Sequence, residues 1–186
     1  IVMKKLSTLK NLMTNYKTMF KQYKKVYSFE ECLYQNKITL RQAIVTDINS
    51  FLQIEEDVYN GKTPWNHTAF LQEMLNNRRS IYISAVAKNE VIAFIGVDFY
   101  PLKCEAHITN FAVATPYQGQ GLAKFMMKKI MDFCKDEGYK VISLEVNNNN
   151  IIAKSLYAKM GFEEGKFLKN YYTETLEDAI EMYVYL

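Results

Sequence analysis

The sequence is poor in the residues that build disulfide frameworks and metal sites. Its 186 residues include three cysteines and two histidines. Cys32, Cys104 and Cys134 are odd in number and widely spaced, with no C-x-x-C pair, which argues against both a disulfide framework and a zinc site. His67 and His107 are far apart in the sequence. We therefore expect a protein of a reducing compartment that binds no metal.

Long apolar runs are also missing. The most hydrophobic segment, residues 81–102, is interrupted by Lys88, Asn89 and Glu90, so no run reaches the ~18 residues of a membrane-spanning helix. The start of the sequence lacks the apolar stretch of a signal peptide. These absences predict a soluble, cytoplasmic protein without membrane contact.

The chain has little net charge, and that charge is unevenly distributed. The formal net charge is +3, but residues 1–40 hold eight lysines and two glutamates, about +6, which leaves about −3 for the rest. A basic interaction surface is therefore expected near the N-terminus. Apolar residues there recur every three or four positions, which predicts an amphipathic helix: Leu6, Leu9, Met13, Tyr16, Phe20, Tyr23 and Tyr27.

Enough apolar material is present for one hydrophobic core. Hydrophobic residues make up 49% of the chain and aromatic residues 14%, ample for a single domain of this size. From Ile38 the pattern reads β-α-α-β-β-β-α-β-α-β-β, which predicts a mixed α/β sheet. The composition shifts between Ser28 and Lys37. We therefore divide the chain into a basic helical extension with its linker, residues 1–36, and one α/β domain, residues 37–186.

Local signals place several elements. Asp47 is expected to cap a helix that begins at Ile48. Residues 80–88 and 91–100 are rich in Ile, Val and aromatic residues and are expected to pair as a hairpin. A long helix is expected over residues 121–137.

The stretch TPYQGQGLAKFMMKKI, residues 115–130, joins an apolar run to a helical pattern through a glycine-containing turn. A helix N-terminus exposes unpaired N–H groups and partial positive charge, which together bind anions. Gly119 and Gly121 would let the backbone approach such a ligand. No G-x-x-x-x-G-K-[ST] or G-x-G-x-x-G spacing occurs. The turn is either a simple connection or a cradle for a phosphate.

Three blocks in order, NFAVATPYQGQGLAKFMM, LEVNNNNIIAKSLYAKMGF and KNYYTETLEDAIEMYVYL, resemble the GNAT superfamily of acetyl-CoA-dependent N-acetyltransferases. Gln118-x-x-Gly121-x-Ala123 matches the pyrophosphate-loop motif of that family. The resemblance covers residues 38–186 and is nearest to the bacterial ribosomal-protein-alanine N-acetyltransferases. It implies a mostly antiparallel central sheet with helices on both faces.

The same resemblance implies where acetyl-CoA binds. One strand of the family splays from its neighbour and contacts the pantetheine arm, and a backbone N–H near Val113 would serve as an oxyanion donor. An asparagine at the position of Asn150 contacts the cofactor, although a turn or cap role is the alternative. The implied cofactor-binding residues are Phe111, Ala112, Val113, Gln118, Gly119, Gln120, Gly121, Leu122, Ala123, Lys124 and Asn150.

Two residues match the catalytic positions of the family. Glu145 lies in the apolar strand SLEV, where a carboxylate is costly unless it is paired or faces a cleft, and it matches the general base. Tyr157, in SLYAKMGF, matches the general acid, and a phenol with an ordinary pKa near ~10 can protonate a thiolate. Their alternatives are an exposed strand face for Glu145 and aromatic packing for Tyr157.

The acceptor site is expected between two loops. Trp65, beside Pro64, and the pair Tyr171 and Tyr172 match the places that form the acceptor groove of the family, and hydrophobic loop packing is their alternative. His107 stands at an alternating strand position and is either a proton relay or a structural histidine.

The sequence departs from the family pattern at Asn147, where an arginine usually follows LEV, and at Gly119, where a basic residue is common.

The predicted activity is acetyl transfer to a primary amine, most simply a protein N-terminal α-amine. Acetylation of a polyamine or antibiotic, or acetyl-CoA binding without turnover, are the alternatives. Ribosome or homodimer contact through the N-terminal helix is open, as are the acceptor, the oligomeric state and the effect of Asn147.

Overall fold

The predicted mixed α/β sheet is confirmed. The computed structural model describes residues 29–35, 37–59, 61, 63–173 and 175–186. Within these residues eight strands form one sheet and four α-helices flank it. The predicted helix of residues 6–27 lies outside the described residues.

The strands are β1 (Cys32–Tyr34), β2 (Ile38–Gln42), β3 (Ser80–Ala87), β4 (Glu90–Tyr100), β5 (Glu105–Val113), β6 (Val141–Asn147), β7 (Glu163–Tyr172) and β8 (Glu177–Tyr185). The helices are α1 (Ile48–Val58), α2 (His67–Asn76), α3 (Leu122–Asp136) and α4 (Ile151–Lys159). The spatial order is β1-β2-β3-β4-β5-β6-β8-β7, and every neighbouring pair is antiparallel except β5 and β6.

The β3–β4 hairpin follows from its turn residues. Lys88 and Asn89 form a two-residue loop with φ of 51° and 66°. Positive φ at both positions matches the twist of the flanking strands, and asparagine tolerates it well. The hairpin is as predicted.

The central strands are covered on both faces. Tyr82, Phe94 and Ala112 pack with Ile48 and Phe51 of α1 in one cluster. Their strand neighbours, which point to the opposite face, join a larger cluster with α3: Ile81, Ile83, Ala93, Ile95, Leu122, Met126, Met127 and Ile130. Helices therefore lie on both faces of the sheet, which explains the nearly continuous apolar sequences of β3 and β4.

The parallel pair β5–β6 opens along its length. Their register runs from Glu105 opposite Val141 to Ile108 opposite Leu144 and stops there. Both strands continue, β5 to Val113 and β6 to Asn147. The last residues of the two strands therefore separate and leave a gap in the middle of the sheet.

Two local expectations were wrong. The stretch predicted as a linker contains β1, whose three residues are too few to show an alternating pattern. Asp47 precedes α1 but does not cap it. Its carboxylate instead accepts hydrogen bonds from Arg41, at 2.7 and 3.0 Å, and from Ser84, at 2.7 Å. A guanidinium offers stronger donors to a carboxylate than a helix N–H does.

Candidate active site

A cleft of about 850 Å³ lies where β5 and β6 separate. Its walls come from both strands, from α1 and α4, and from the chain around the β7–β8 connection. It brings together eight of the predicted site residues: Trp65, Phe111, Ala112, Glu145, Asn150, Tyr157, Tyr171 and Tyr172. Val113 and residues 118–124 do not line it; they lie at the end of β5 and the start of α3.

The turn before α3 has the backbone of an anion site. Gly119 and Gly121 have φ of 72° and 85°, in the left-handed region that glycine enters without strain. No side chain of the described residues caps α3, whereas Asn66 caps α2 and Asn150 caps α4. The N–H groups of residues 122–124 therefore face outward without helical partners. A pyrophosphate fits this arrangement.

Side chains hold the turn in place. The amide of Gln118 donates to the Val113 carbonyl oxygen, and that of Gln120 donates to the Pro116 carbonyl oxygen, each at 2.8 Å. The hydroxyl of Tyr34, on β1, donates to the Gln120 carbonyl oxygen at 2.8 Å. Both glutamine amides thus support the loop, which leaves contacts with an anion mainly to the backbone.

The end of β5 directs an N–H group into the gap. The N–H of Ala114 donates to the Ile92 carbonyl oxygen of β4 at 2.9 Å. Successive N–H groups of a strand point to opposite sides, so the N–H of Val113 points away from β4 and toward the gap left by β6. This is the orientation that a backbone oxyanion donor requires.

Glu145 belongs to an unbroken chain of polar contacts. Its Oε2 lies 3.1 Å from Nε2 of His107. Nδ1 of His107 lies 2.8 Å from Oγ of Ser143, whose hydroxyl donates to Glu105 at 2.5 Å. The register of β5 and β6 creates this chain, because it places His107 directly opposite Ser143.

The ion pair determines the charge of both partners. Burial alone would raise the pKa of Glu145, but the hydrogen bond and charge of His107, aided by the Tyr171 hydroxyl, hold that pKa below its ordinary value. Burial opposes a charged His107, yet Glu145, followed by Glu105 and Asp98, raises the pKa of the imidazole. Glu145 is therefore ionised at neutral pH, and its carboxylate favours the charged form of His107.

Tyr157 keeps its proton. It is buried, packs against Phe162 with ring centroids 5.6 Å apart, and still lines the cleft. Burial raises the pKa of its phenol, and the neighbouring Tyr59 and Tyr172 add to that rise. A neutral phenol at the cleft wall is a hydrogen-bond donor and a potential proton donor.

Aromatic side chains line the cleft near Glu145 and form what we call its mouth. Tyr171 and Tyr172 meet edge to face at 5.2 Å, and Trp65 packs on Phe70 at 5.4 Å. Burial, with the nearby Glu145 carboxylate, raises the pKa of Tyr171 to about 12. The mouth is therefore apolar with neutral hydroxyls, which suits a short peptide segment.

Asn150 lines the cleft as a helix cap. Its Oδ1 accepts the N–H of Ala153 at 3.0 Å. Its side-chain carbonyl is therefore engaged with the backbone of α4, as the alternative interpretation of this residue expects.

Glu55 is a further residue of the cleft that is not among the predicted site residues. It is buried on α1 and lines the cleft. Its spacing carried a signal, because Ile48, Phe51 and Glu55 follow the three- and four-residue steps of the apolar face of α1. A carboxylate on such a face indicates a partner or a cleft, because burying it alone is costly.

Two further observations concern metal ions and membranes. Among the described residues no group of three or more His, Cys, Asp and Glu side chains is arranged to hold a metal ion. Every helix in the described ranges is too short or too polar to cross a membrane.

Comparisons with known proteins find relatives over most of the chain. A model of the acetyltransferase (GNAT) family matches residues 46–162. A protein of Bacillus subtilis (strain 168) is 31% identical over 150 residues, which are 81% of this chain and 97% of that protein. The ribosomal protein bS18-alanine N-acetyltransferase of Escherichia coli (strain K12) is 30% identical over 147 residues, covering 77% of this chain and 95% of the relative.

Solved structures share the fold. The crystal structure of the ribosomal-protein-S18-alanine N-acetyltransferase from Escherichia coli superposes with a TM-score of 0.70 at 28% identity, over 80% of this chain and 93% of that one. The crystal structure of Ard1 from Thermoplasma volcanium superposes with a TM-score of 0.71 at 23% identity, over 81% of this chain and 98% of that one. The family match begins at residue 46, so β1 and β2 lie outside it.

Proposed function

Because the chain belongs to the acetyltransferase (GNAT) family, we propose that it acetylates the α-amine of a protein N-terminus, with an alanine of a ribosomal protein as the expected acceptor. Acetyl transfer is the reaction of this family, and acetyl-CoA supplies the acetyl group as a thioester. The relatives named as ribosomal-protein-alanine N-acetyltransferases support the choice of acceptor.

The observation that carries the proposal is the position of Glu145 and Tyr157 in one cleft, at the point where β5 and β6 part. The gap between these strands receives the pantetheine arm. The backbone N–H groups of residues 118–124 hold the pyrophosphate, and Phe111 and Ala112 contact the arm. The N–H of Val113 donates to the acetyl oxygen.

The two catalytic groups have complementary protonation states. Glu145 is ionised and accepts the proton of the attacking amine through a water molecule. Tyr157 is neutral and donates its proton to the departing thiolate. His107 keeps Glu145 in its carboxylate form and fixes its orientation through their 3.1 Å contact.

The acceptor enters along the aromatic mouth. Trp65 on one side, and Tyr171 and Tyr172 on the other, surround an extended N-terminal segment. Such a mouth contacts the backbone of the acceptor and its small first side chain. A free polyamine has no peptide groups for the neutral tyrosine hydroxyls of the mouth to bind, so peptides are the preferred acceptors.

Variants of the two catalytic residues test their roles. Glu145→Gln and Tyr157→Phe are each expected to lower kcat by about 100-fold or more, the usual contribution of a proton-transfer group. The measurement is thiol release from acetyl-CoA with a confirmed acceptor. Glu90→Gln and Tyr185→Phe, on exposed strand positions away from the cleft, are the matched controls. An unchanged kcat in both catalytic variants would refute the assignment.

A panel of acceptors tests the reaction class. We expect thiol release with a peptide that carries a free N-terminal alanine, and little with the same peptide acetylated at its N-terminus or with spermidine. Turnover with spermidine alone would show a small-amine enzyme. Binding of CoA without thiol release for any amine would show a binding module.

A further inference from the structure

Glu55 occupies a position in the core of the protein that normally excludes a carboxyl group. Its neighbours on α1, Phe51 and Ile54, are buried apolar residues, and Glu55 itself is only 2% exposed. Removing a carboxylate from water costs several kcal/mol unless a cation and hydrogen-bond donors replace the water. The partners of Glu55 therefore determine whether its position is structural.

The described part of the chain supplies little compensation for Glu55. Its Oε2 accepts the backbone N–H of Trp65 at a long 3.3 Å. No ion pair between described residues includes it. Asp47, the acidic residue directly before α1, by contrast accepts hydrogen bonds from Arg41 and Ser84. Glu145, across the cleft, is paired with His107.

Among the described residues, the groups that face Glu55 are neutral. Tyr59 on α1 and Tyr82 on β3 interact with its charge, and burial keeps the pKa of both phenols above the ordinary value. Trp65, on the connection between α1 and α2, contributes its N–H. Burial raises the pKa of Glu55 itself to about 7. The side chain is thus a poorly compensated carboxyl group at the wall of an open cleft.

We propose that Glu55 binds the ammonium group of the acceptor on the α1 side of the cleft and so selects cationic amines. This inference rests on the proposed function, since it places the charged amine of the acceptor in the same cleft. A cationic ligand offsets the cost of burying this carboxylate. Charge complementarity of this kind gives specificity, because neutral nucleophiles leave the carboxylate without a partner.

The contact with Glu55 precedes the chemistry. The ammonium form docks against Glu55, beside the N–H of Trp65 that orients the carboxylate. The ammonium group then loses one proton to solvent, and Glu145, on β6, accepts the next proton as the neutral amine attacks. Glu55 is thus a specificity-determining residue and not the proton acceptor of the reaction.

Calorimetry with non-reacting ligands tests this contact. CoA, which has no acetyl group to transfer, is bound first, and a peptide with a free N-terminal alanine is titrated between pH 5.5 and about 7.5. Over most of this range the peptide amine, with a pKa near ~8, is protonated. The same peptide acetylated at its N-terminus reports binding without the ammonium group.

In the wild-type protein the free peptide is expected to bind more tightly as pH rises toward 7.5, and the acetylated peptide weakly at every pH. Glu55→Gln should weaken the binding of the free peptide by about 10-fold or more, since a charge-assisted contact is lost. It should also remove the pH dependence and the preference over the acetylated peptide. CoA affinity should not change.

Two further variants make the result decisive. Glu56→Gln replaces an exposed carboxylate at the next position of α1 and should behave as wild type. Glu55→Asp keeps the charge and should retain the pH dependence with weaker binding. A Glu55→Gln protein that still prefers the free peptide would overturn the inference while leaving the proposed function intact. A wild-type protein that acetylates no peptide would instead overturn the proposed function.

Discussion

At the scale of single residues, the cleft contains two carboxyl groups with opposite environments. Glu145 is paired with His107 and has a lowered pKa, whereas Glu55 is buried beside neutral groups of the described residues and has a raised pKa. Environments that separate two pKa values in this way are typical of sites that handle protons and charged ligands. The arrangement has a measurable consequence for stability.

Glu55→Gln is expected to raise the stability of the free protein at alkaline pH. The carboxyl has an ordinary pKa of 4.5 and a folded-state pKa of about 7. As pH rises between these values the unfolded chain loses the proton first, so the wild-type protein loses stability, by up to about 3 kcal/mol. The side chain of glutamine does not titrate, so the variant does not lose stability in this way.

The measurement is the melting temperature of wild type and Glu55→Gln from pH 4.5 to 8.5. The two curves should lie close together at the acidic end and diverge above it, with the variant more stable. Glu56→Gln, at an exposed position, should follow the wild type. Parallel curves for wild type and Glu55→Gln would show that Glu55 is not destabilised by its burial.

At the scale of elements, the short strand β1 contacts the loop assigned to the pyrophosphate. Tyr34 donates to the Gln120 carbonyl oxygen at 2.8 Å, and its ring lies 4.7 Å from that of Phe125 on α3. A Cβ on Gly121 would come within 3.1 Å of the same hydroxyl. The family match begins at residue 46, so this contact comes from a part of the chain outside it.

Tyr34→Phe is therefore expected to weaken CoA binding by about 2- to 10-fold, the usual net value of one neutral hydrogen bond. Pantetheine, which lacks the pyrophosphate, should bind equally to variant and wild type, and calorimetry with both ligands checks this. Leu33→Ala, an exposed position on the same strand, should change neither affinity. Equal losses for CoA and pantetheine would show a general loss of structure instead.

Some elements could be predicted from the local sequence and others could not. The Lys88-Asn89 turn and the glycines of the α3 loop were predictable, because their positive φ angles restrict the residue types there. The strand β1 was not, because three residues are too short for a periodic signal. The carboxylate of Asp47 could not be assigned either, since its partners Arg41 and Ser84 come from two separate strands.

At the scale of the whole molecule, the order of three sequence blocks was enough to predict the fold and the family. The contacts that complete the cleft could not be predicted in the same way. His107 meets Glu145 only because β5 and β6 are parallel in one register. Glu55 reaches the cleft only because α1 packs across the sheet. Such pairings depend on tertiary structure, which a single sequence does not display.

The most direct test of this account is mass spectrometry of one peptide that carries both a free N-terminal alanine and an internal lysine. The purified full chain is incubated with the peptide and acetyl-CoA, and fragment ions locate the acetyl group. We expect one acetyl group on the α-amine and an equal amount of released thiol. Acetylation confined to the lysine side chain, or no acetylation of the peptide, would contradict the proposed function.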